Sequence, residues 1–255
     1  MTHGLTWDAA HAAVIVMILA TFLLAGFVKG VIGLGLPTVA MGLLGLAMLP
    51  AQAAALLIVP SLVTNLWQLL AGGNFIGLFK RLWPMLAGIA LGTVGGGGML
   101  AAAIGGKAEI GLGVALVIYA LIGLTAVRFS VAPRNEKWLS FPIGLVTGLI
   151  TAATGVFVIP AVPYLQALNL EKEELIQGLG LSFTVSTVAL AIALGSGGGI
   201  GGDLVGVSLL ALVPALAGMF IGQWARMKLS AQLFRRCFFS GLLLLGLHLA
   251  SRVLM

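Results

Sequence analysis

Ten apolar segments, most of them long enough to cross the hydrocarbon core of a bilayer, decide what this chain can become. They cover approximately residues 10–30, 36–48, 51–70, 82–103, 110–127, 139–153, 156–168, 174–194, 204–225 and 232–251. A helix needs about 20 apolar residues to span a ~30 Å core, so the second and seventh segments are too short to cross. The chain is 60% hydrophobic and 8% charged, with a mean hydropathy of +1.18. A soluble domain carries about 25% charged residues. The expected fold class is therefore an all-α polytopic membrane protein.

The same composition excludes several kinds of function. The first residues lack a basic stretch and carry Asp8 before a long apolar run, which reads as a first membrane segment and not as a cleaved signal. Cys237 is the one cysteine, and His3, His11 and His248 are scattered, so no disulfide, zinc or haem site and no cofactor is expected. Cys237, at the start of the last segment, reads as a packing residue. The net charge of +6 resides in short loops between apolar runs, the pattern of membrane topology and not of nucleic-acid binding. The glycine run at residues 95–98 has neither a preceding strand nor a following Lys-Ser/Thr, so it is no phosphate loop.

Charge also tests the topology. If every segment reverses the chain, one side collects Lys80, Arg81, Arg128, Arg134, Lys137, Lys172, Arg226, Lys228, Arg235 and Arg236, and the other only Lys107 and Arg252. The positive-inside rule then places the rich side in the cytoplasm of a bacterial-type inner membrane, with both termini extracytoplasmic. The result holds if segments 1–2 and 6–7 dip in and return, whereas fusing each pair into one span would divide the basic residues almost evenly. Asn169, ahead of Glu171, Glu173 and Glu174, reads as a helix N-cap. Pro84 reads as a residue near the start of the fourth segment, where its missing N–H costs little.

Two motifs recur in the same order. GFVKGVIGLGLP at Gly26 matches GLVTGLITAATGVFVIP at Gly144, and WPMLAGIALG at Trp83 matches VPALAGMFIG at Val213. The halves, residues 1–130 and 131–255, thus hold five segments each. Because five is odd, the second half enters the membrane from the opposite side, giving an inverted-topology repeat of the kind secondary transporters use. The competing explanation is that Gly-x-x-x-Gly recurs by chance, since small residues are common at membrane helix contacts.

Irregular backbone survives at membrane depth only inside protein or against a wet cavity. The candidate site therefore lies at the two glycine- and proline-interrupted stretches. In the first half these are Lys29, Gly33, Gly35, Pro37 and Thr38; in the second, Thr151, Thr154, Gly155 and Pro160. Helix N-termini at these breaks carry positive dipole character suited to an anion, and Lys29 adds a full charge. The bland reading of Lys29 is an ammonium that snorkels to the cytoplasmic surface. Segment 3 carries Ser61, Thr64, Asn65 and Gln68 along one helical face, and segment 8 carries Ser182, Thr184, Ser186 and Thr187, of which Ser182 and Ser186 share a face. Asn65, Gln68, Ser182 and Ser186 are candidate lining residues, with interhelical hydrogen bonding as the alternative.

These motifs resemble the TauE/SafE family of sulfite and organosulfonate exporters, in which a glycine-rich stretch leading to a proline is repeated in each half. GFVKGVIGLGLPTVAMGLL is similar to the first motif and GLVTGLITAATGVFVIPAVPYL to the second, and the likeness runs from about residue 12 to 252. The resemblance implies passive or proton-coupled movement of small sulfur-containing anions or organic acids across the inner membrane. Two departures matter. Gly33-Leu34-Gly35-Leu36-Pro37 replaces a denser glycine run, and no cysteine stands at the motif positions, where thiosulfate-importing relatives carry one. The expectation is a secondary transporter of a sulfonate- or sulfite-like anion working by alternating access. An anion channel and a carboxylate transporter are the alternatives. The seven acids lie near segment ends or in loops, so any coupled protons would travel on the substrate. No nucleophile–base pair points to an intramembrane enzyme, and homodimer formation is left open.

Overall fold

A computed structural model describes residues 3–97, 99–102, 106–125, 130–196 and 202–251. Among these the chain is helical throughout: α1 (His3–Ile32), α2 (Leu36–Leu44), α3 (Pro50–Leu70), α4 (Phe75–Gly95), α5 (Met99–Ala102), α6 (Lys107–Thr125), α7 (Pro133–Thr154), α8 (Ala161–Ala167), α9 (Lys172–Ser196), α10 (Gly202–Arg226) and α11 (Ala231–Ser251). Seven of these helices are long and apolar enough to cross a membrane. The eighth long helix, α7, has the length but opens with Arg134, Glu136 and Lys137. The two short segments are short helices, of 9 residues for α2 and 7 for α8. Each follows a break after a long helix.

Several expectations need correction. α4 begins at Phe75, so Pro84 lies well inside the helix; the apolar residues of the first turns extend it back beyond the charged pair Lys80–Arg81. Asn169 does not cap α9, which starts at Lys172. Its backbone is left-handed, at φ 51°, as suits an asparagine in a turn, and its side chain donates to Ser130 Oγ at 3.4 Å. Cys237 is exposed, because α11 packs through the face bearing Phe239, Leu242 and Leu249. Arg128 and Arg252, Gly98 of the glycine run, and most of the second glycine tract (residues 197–201) lie outside the described residues.

The packing is reciprocal between the halves. α1 packs on α10, α7 on α4, α3 on α9, and α6 on α11. In the first two pairs the contact is made by the repeated glycine motifs themselves. Gly26 and Gly30 of α1 lie directly on the backbone of Ala215, Met219 and Gly222 of α10; Gly144 and Gly148 of α7 lie on Met85, Ile89 and Gly92 of α4. A side chain at Gly30 would stand 2.8 Å from the Gln223 backbone nitrogen, and one at Gly148 2.7 Å from that of Thr93. Such close approach lets dispersion and weak Cα–H···O contacts hold helices where the surrounding lipid offers no hydrophobic drive. The outward faces carry apolar side chains such as Leu210, Val213 and Ile221 of α10.

Polar ties gather the charged helix ends at one face. Asn74 donates to Glu174 at 2.9 Å, and the Val131 amide to the Ala167 carbonyl at 3.0 Å. Arg81 forms a two-pronged pair with Glu136 at 2.6 and 2.9 Å and reaches the Leu168 carbonyl at 3.3 Å. Arg235 ties the start of α11 to the Gly123 carbonyl near the end of α6 at 3.0 Å. Lys107 opens α6 and therefore lies at the opposite end.

Candidate functional site: a buried lysine beside a broken helix

α1 stops because Gly33 turns left-handed, at φ 78°, and Gly35 does so again, at φ 102°. A β-carbon at Gly35 would meet Val28 and Phe238 at 3.0 and 3.1 Å, so conformation and space both require glycine there. Pro37 then occupies the first turn of α2, where no N–H is needed. Thr38 Oγ1 donates back to the Gly35 carbonyl at 2.9 Å and steadies the corner. As in any helix, the first N–H groups of α2 have no intrahelical acceptor.

One turn before this break stands Lys29. It is 4% exposed and does not reach the surface. Its ammonium donates to Thr64 Oγ1 at 3.1 Å and to Asn65 Oδ1, both on α3. Asn65 Nδ2 in turn donates to Thr187 Oγ1 of α9 at 3.3 Å, so the lysine heads a chain of side chains linking α1, α3 and α9. Gln68, one turn further along α3, donates through Nε2 to the Gly33 carbonyl at the break and to the Ile176 carbonyl, both at 3.1 Å. Every one of these partners is neutral. The ion pair found among the described residues, Arg81–Glu136, lies elsewhere.

Three further polar atoms on α3 and α9 are unsatisfied. Ser61 Oγ and Gln68 Oε1 on α3, and Ser182 Oγ on α9, are buried without a hydrogen-bond partner. Ser61 lies one turn from Thr64, whose hydroxyl donates to the Pro60 carbonyl at 2.7 Å. Pro60 also removes the donor that would satisfy the Leu56 carbonyl; Ser208 of α10 supplies it across the interface at 2.8 Å.

The second break is built likewise but is set apart. α7 ends where Gly155 turns left-handed, at φ 72°, against Met41 of α2 and Ala54 of α3. Residues Val156, Phe157 and Val158 are fully buried, and α8 starts after Pro160. Thr151 and Thr154 are buried, and each hydroxyl donates to a carbonyl of its own helix, of Thr147 and Ile150, both at 2.7 Å. Ser186 does the same with Ser182, at 3.0 Å. Lys29, Asn65, Gln68 and Gly33 thus form one hydrogen-bonded set. No hydrogen bond joins Thr151, Thr154, Gly155 or Pro160 to it.

This arrangement supplies a positive group, amide and hydroxyl donors and a helix break, all within low-dielectric surroundings. It contains no carboxylate, thiol or imidazole to carry a reaction. The sequence matches the family described as Sulfite exporter TauE/SafE over residues 18–249, nearly its whole length. The chain belongs to the TauE/SafE family. No curated protein and no solved structure matches it. The family is one of membrane transporters, described as sulfite exporters. In this TauE/SafE protein the buried lysine bonds only neutral side chains of α3.

Sequence reasoning missed three buried polar residues. Gln177 of α9 donates to the Leu69 and Gly72 carbonyls at 2.9 and 3.0 Å and accepts from the Asn74 amide at 3.1 Å, clamping the end of α3. Ser208 repairs the gap left by Pro60. Tyr119 of α6 is buried, with a hydroxyl that has no partner. Gln177 sits just inside α9 beside the Glu171–Glu174 cluster, where it reads as surface, and the other two sit singly in apolar runs, so no spacing marks them.

Proposed function

We propose that this protein is a secondary transporter of a small sulfur oxyanion, sulfite or a short sulfonate, and that the transported anion is the counter-ion of Lys29. The observation that carries the reading is the burial of an ammonium that faces only neutral oxygens. A charge buried in apolar surroundings is costly unless paired. An arriving oxyanion would take the ammonium proton donors now given to Thr64 and Asn65, with the Asn65 and Gln68 side chains orienting it and the first amides of α2 adding partial positive charge. Ser61 and Ser182 have hydroxyl protons free for the same purpose.

The proposed cycle is alternating access between two inverted halves, residues 1–130 and 131–255. It draws support from the reciprocal packing, in which the first helix of each half rests on the fourth helix of the other. Two glycine seams of this kind are smooth surfaces along which helix pairs can slide or rock. The basic face is assigned to the cytoplasm of the inner membrane by the positive-inside rule, with both termini outside. Since no acidic side chain joins the Lys29 set, protons would be carried by the anion, as hydrogensulfite for example.

The test is uptake of radiolabelled sulfite into proteoliposomes containing the purified protein. Saturable uptake with counterflow, abolished by Lys29→Gln in a protein that remains folded, is the expected result. Undiminished transport by the Lys29→Gln variant would overturn the role of Lys29, and non-saturable flux without counterflow would mark a channel.

A further inference from the structure

A cavity of about 960 Å³ opens on the basic face where the ends of α1, α6, α8 and α10 meet the start of α11. Its charged lining is unusual: Arg226, Arg235 and Arg236 contribute to it, and no acidic residue among the described ones does. A second surface cavity, of about 920 Å³, has Lys80, Arg81 and Lys137, but there Glu136 neutralises one of them. In the first cavity the three guanidiniums stand uncompensated. Arg235 is fixed by the Gly123 carbonyl and lies 5.8 Å from the Phe239 ring centroid. Arg226 and Arg236 are exposed, without a hydrogen-bond or ion-pair partner among the described residues.

The cavity also has an inner wall that points to a ligand. Tyr119 lines it, 2% exposed, with its hydroxyl unpartnered and its ring against Phe239 at 5.1 Å. Val31, Ile32 and Leu34 complete that wall, and these residues are the α1 break itself. Lys29 lies two residues before Val31, about 3 Å along the helix axis at 1.5 Å per residue. The carbonyl of Gly33, between Ile32 and Leu34, accepts from Gln68 of the buried set.

We infer that this arginine-lined cavity is a capture site for the oxyanion on the basic face, separate from Lys29 and leading to it. Arg226 and Arg236 draw the anion in, and the Tyr119 hydroxyl donates to it at the inner wall before it passes the α1 break. A cleft walled by one sign of charge raises the local concentration of its counter-ion and the rate of encounter by about 10- to 1000-fold, an effect that added salt removes. The inference rests on the proposed anion transport for its cargo, but binding can be tested without transport.

The experiment combines a double variant, Arg226→Gln/Arg236→Gln, with wild type in neutral phosphatidylcholine proteoliposomes. Arg235 is left intact because it ties α11 to α6. For sulfite uptake, kcat/KM of the variant is expected to fall about ten-fold or more at 10 mM salt and to converge on wild type at 0.5 M. An equal loss at both salt concentrations is what mere structural damage gives, and it would overturn the proposal, as would no loss at all. Equilibrium dialysis of radiolabelled sulfite against detergent-solubilised protein separates this proposal from the last. Wild type should bind two anions per chain, and the arginine variant and Lys29→Gln one each. If wild type moves no sulfite, the transport reading falls, yet loss of a bound anion in the arginine variant alone would sustain the capture site. Unchanged sulfite binding, together with a variant that differs from wild type only in vesicles containing phosphatidylglycerol, would assign the arginines to lipid headgroups and refute it.

Discussion

Replacing Lys29 by methionine separates a functional charge from a structural tie. Methionine nearly matches the lysine stem in length and adapts its shape, so no large cavity is left. The substitution removes an ammonium whose burial in a membrane helix costs about 2.5–3.5 kcal/mol on insertion scales. Against this, Asn65 Oδ1 loses its donor, at a cost of about 1–3 kcal/mol for a buried unsatisfied acceptor. Thr64 keeps its bond to the Pro60 carbonyl and Asn65 keeps its bond to Thr187. The balance runs from a loss of about 0.5 kcal/mol to a gain of about 2.5 kcal/mol on these figures. Thermal unfolding in detergent should therefore show a Tm that is unchanged or raised. Sulfite should sharpen the contrast. At a hundred times its Kd a ligand stabilises by about 2.7 kcal/mol, so Lys29→Met should lose the part of the sulfite-induced rise that comes from this site and keep only the part that comes from the arginine-lined cavity. A variant that unfolds readily, or that still gains stability from sulfite through this site, would refute the reasoning.

The glycine seams give a matched pair of tests. Gly30→Ala and Gly148→Ala should each cost about 1–3 kcal/mol by forcing helices apart, whereas Gly241→Ala, with open space around it, should be neutral or stabilising by thermal unfolding. At Gly33 the surroundings are open but φ is positive; Gly33→Ala should cost about 1–2 kcal/mol and Gly33→Asn clearly less, read from the same melting curves. In a Cys237→Ser background, single cysteines replacing Arg134 and Arg226 should label from one side of the membrane and one replacing Lys107 from the other. Labelling of Arg134 and Arg226 positions from opposite sides would break the topology.

The helices were legible because apolar length is a direct demand of the bilayer, and both breaks were legible because glycine and proline mark places where a helix cannot continue. Lys29 stood out for the same reason that buried charge is rare. Its partners were visible as a polar stripe on α3, but not the direction in which the ammonium points, since a lysine one turn from a helix end has the reach to turn either way. The repeated Gly-x-x-x-Gly motifs were seen as echoes of one another. That the echo in α1 docks on the second motif in α10, and the one in α7 on that in α4, is a tertiary fact no spacing within one helix encodes. Pro84 and Asn169 misled because a proline is tolerated inside a membrane helix when neighbours satisfy the backbone, and because asparagine suits a left-handed turn as well as a cap. The arginines at the ends of α10 and α11 were read only as topology signals. Their meeting around one cavity depends on how five helix ends converge.

The most direct measurement of the central claim is the position of the bound anion. Selenite has the shape and charge of sulfite and scatters anomalously, so crystals grown with it would locate the selenium. A peak within hydrogen-bonding reach of Lys29 Nζ, between α1, α3 and α9, is the expected result. A protein saturated with selenite whose Lys29 still bonds only Thr64 and Asn65, with selenium elsewhere, would contradict the account.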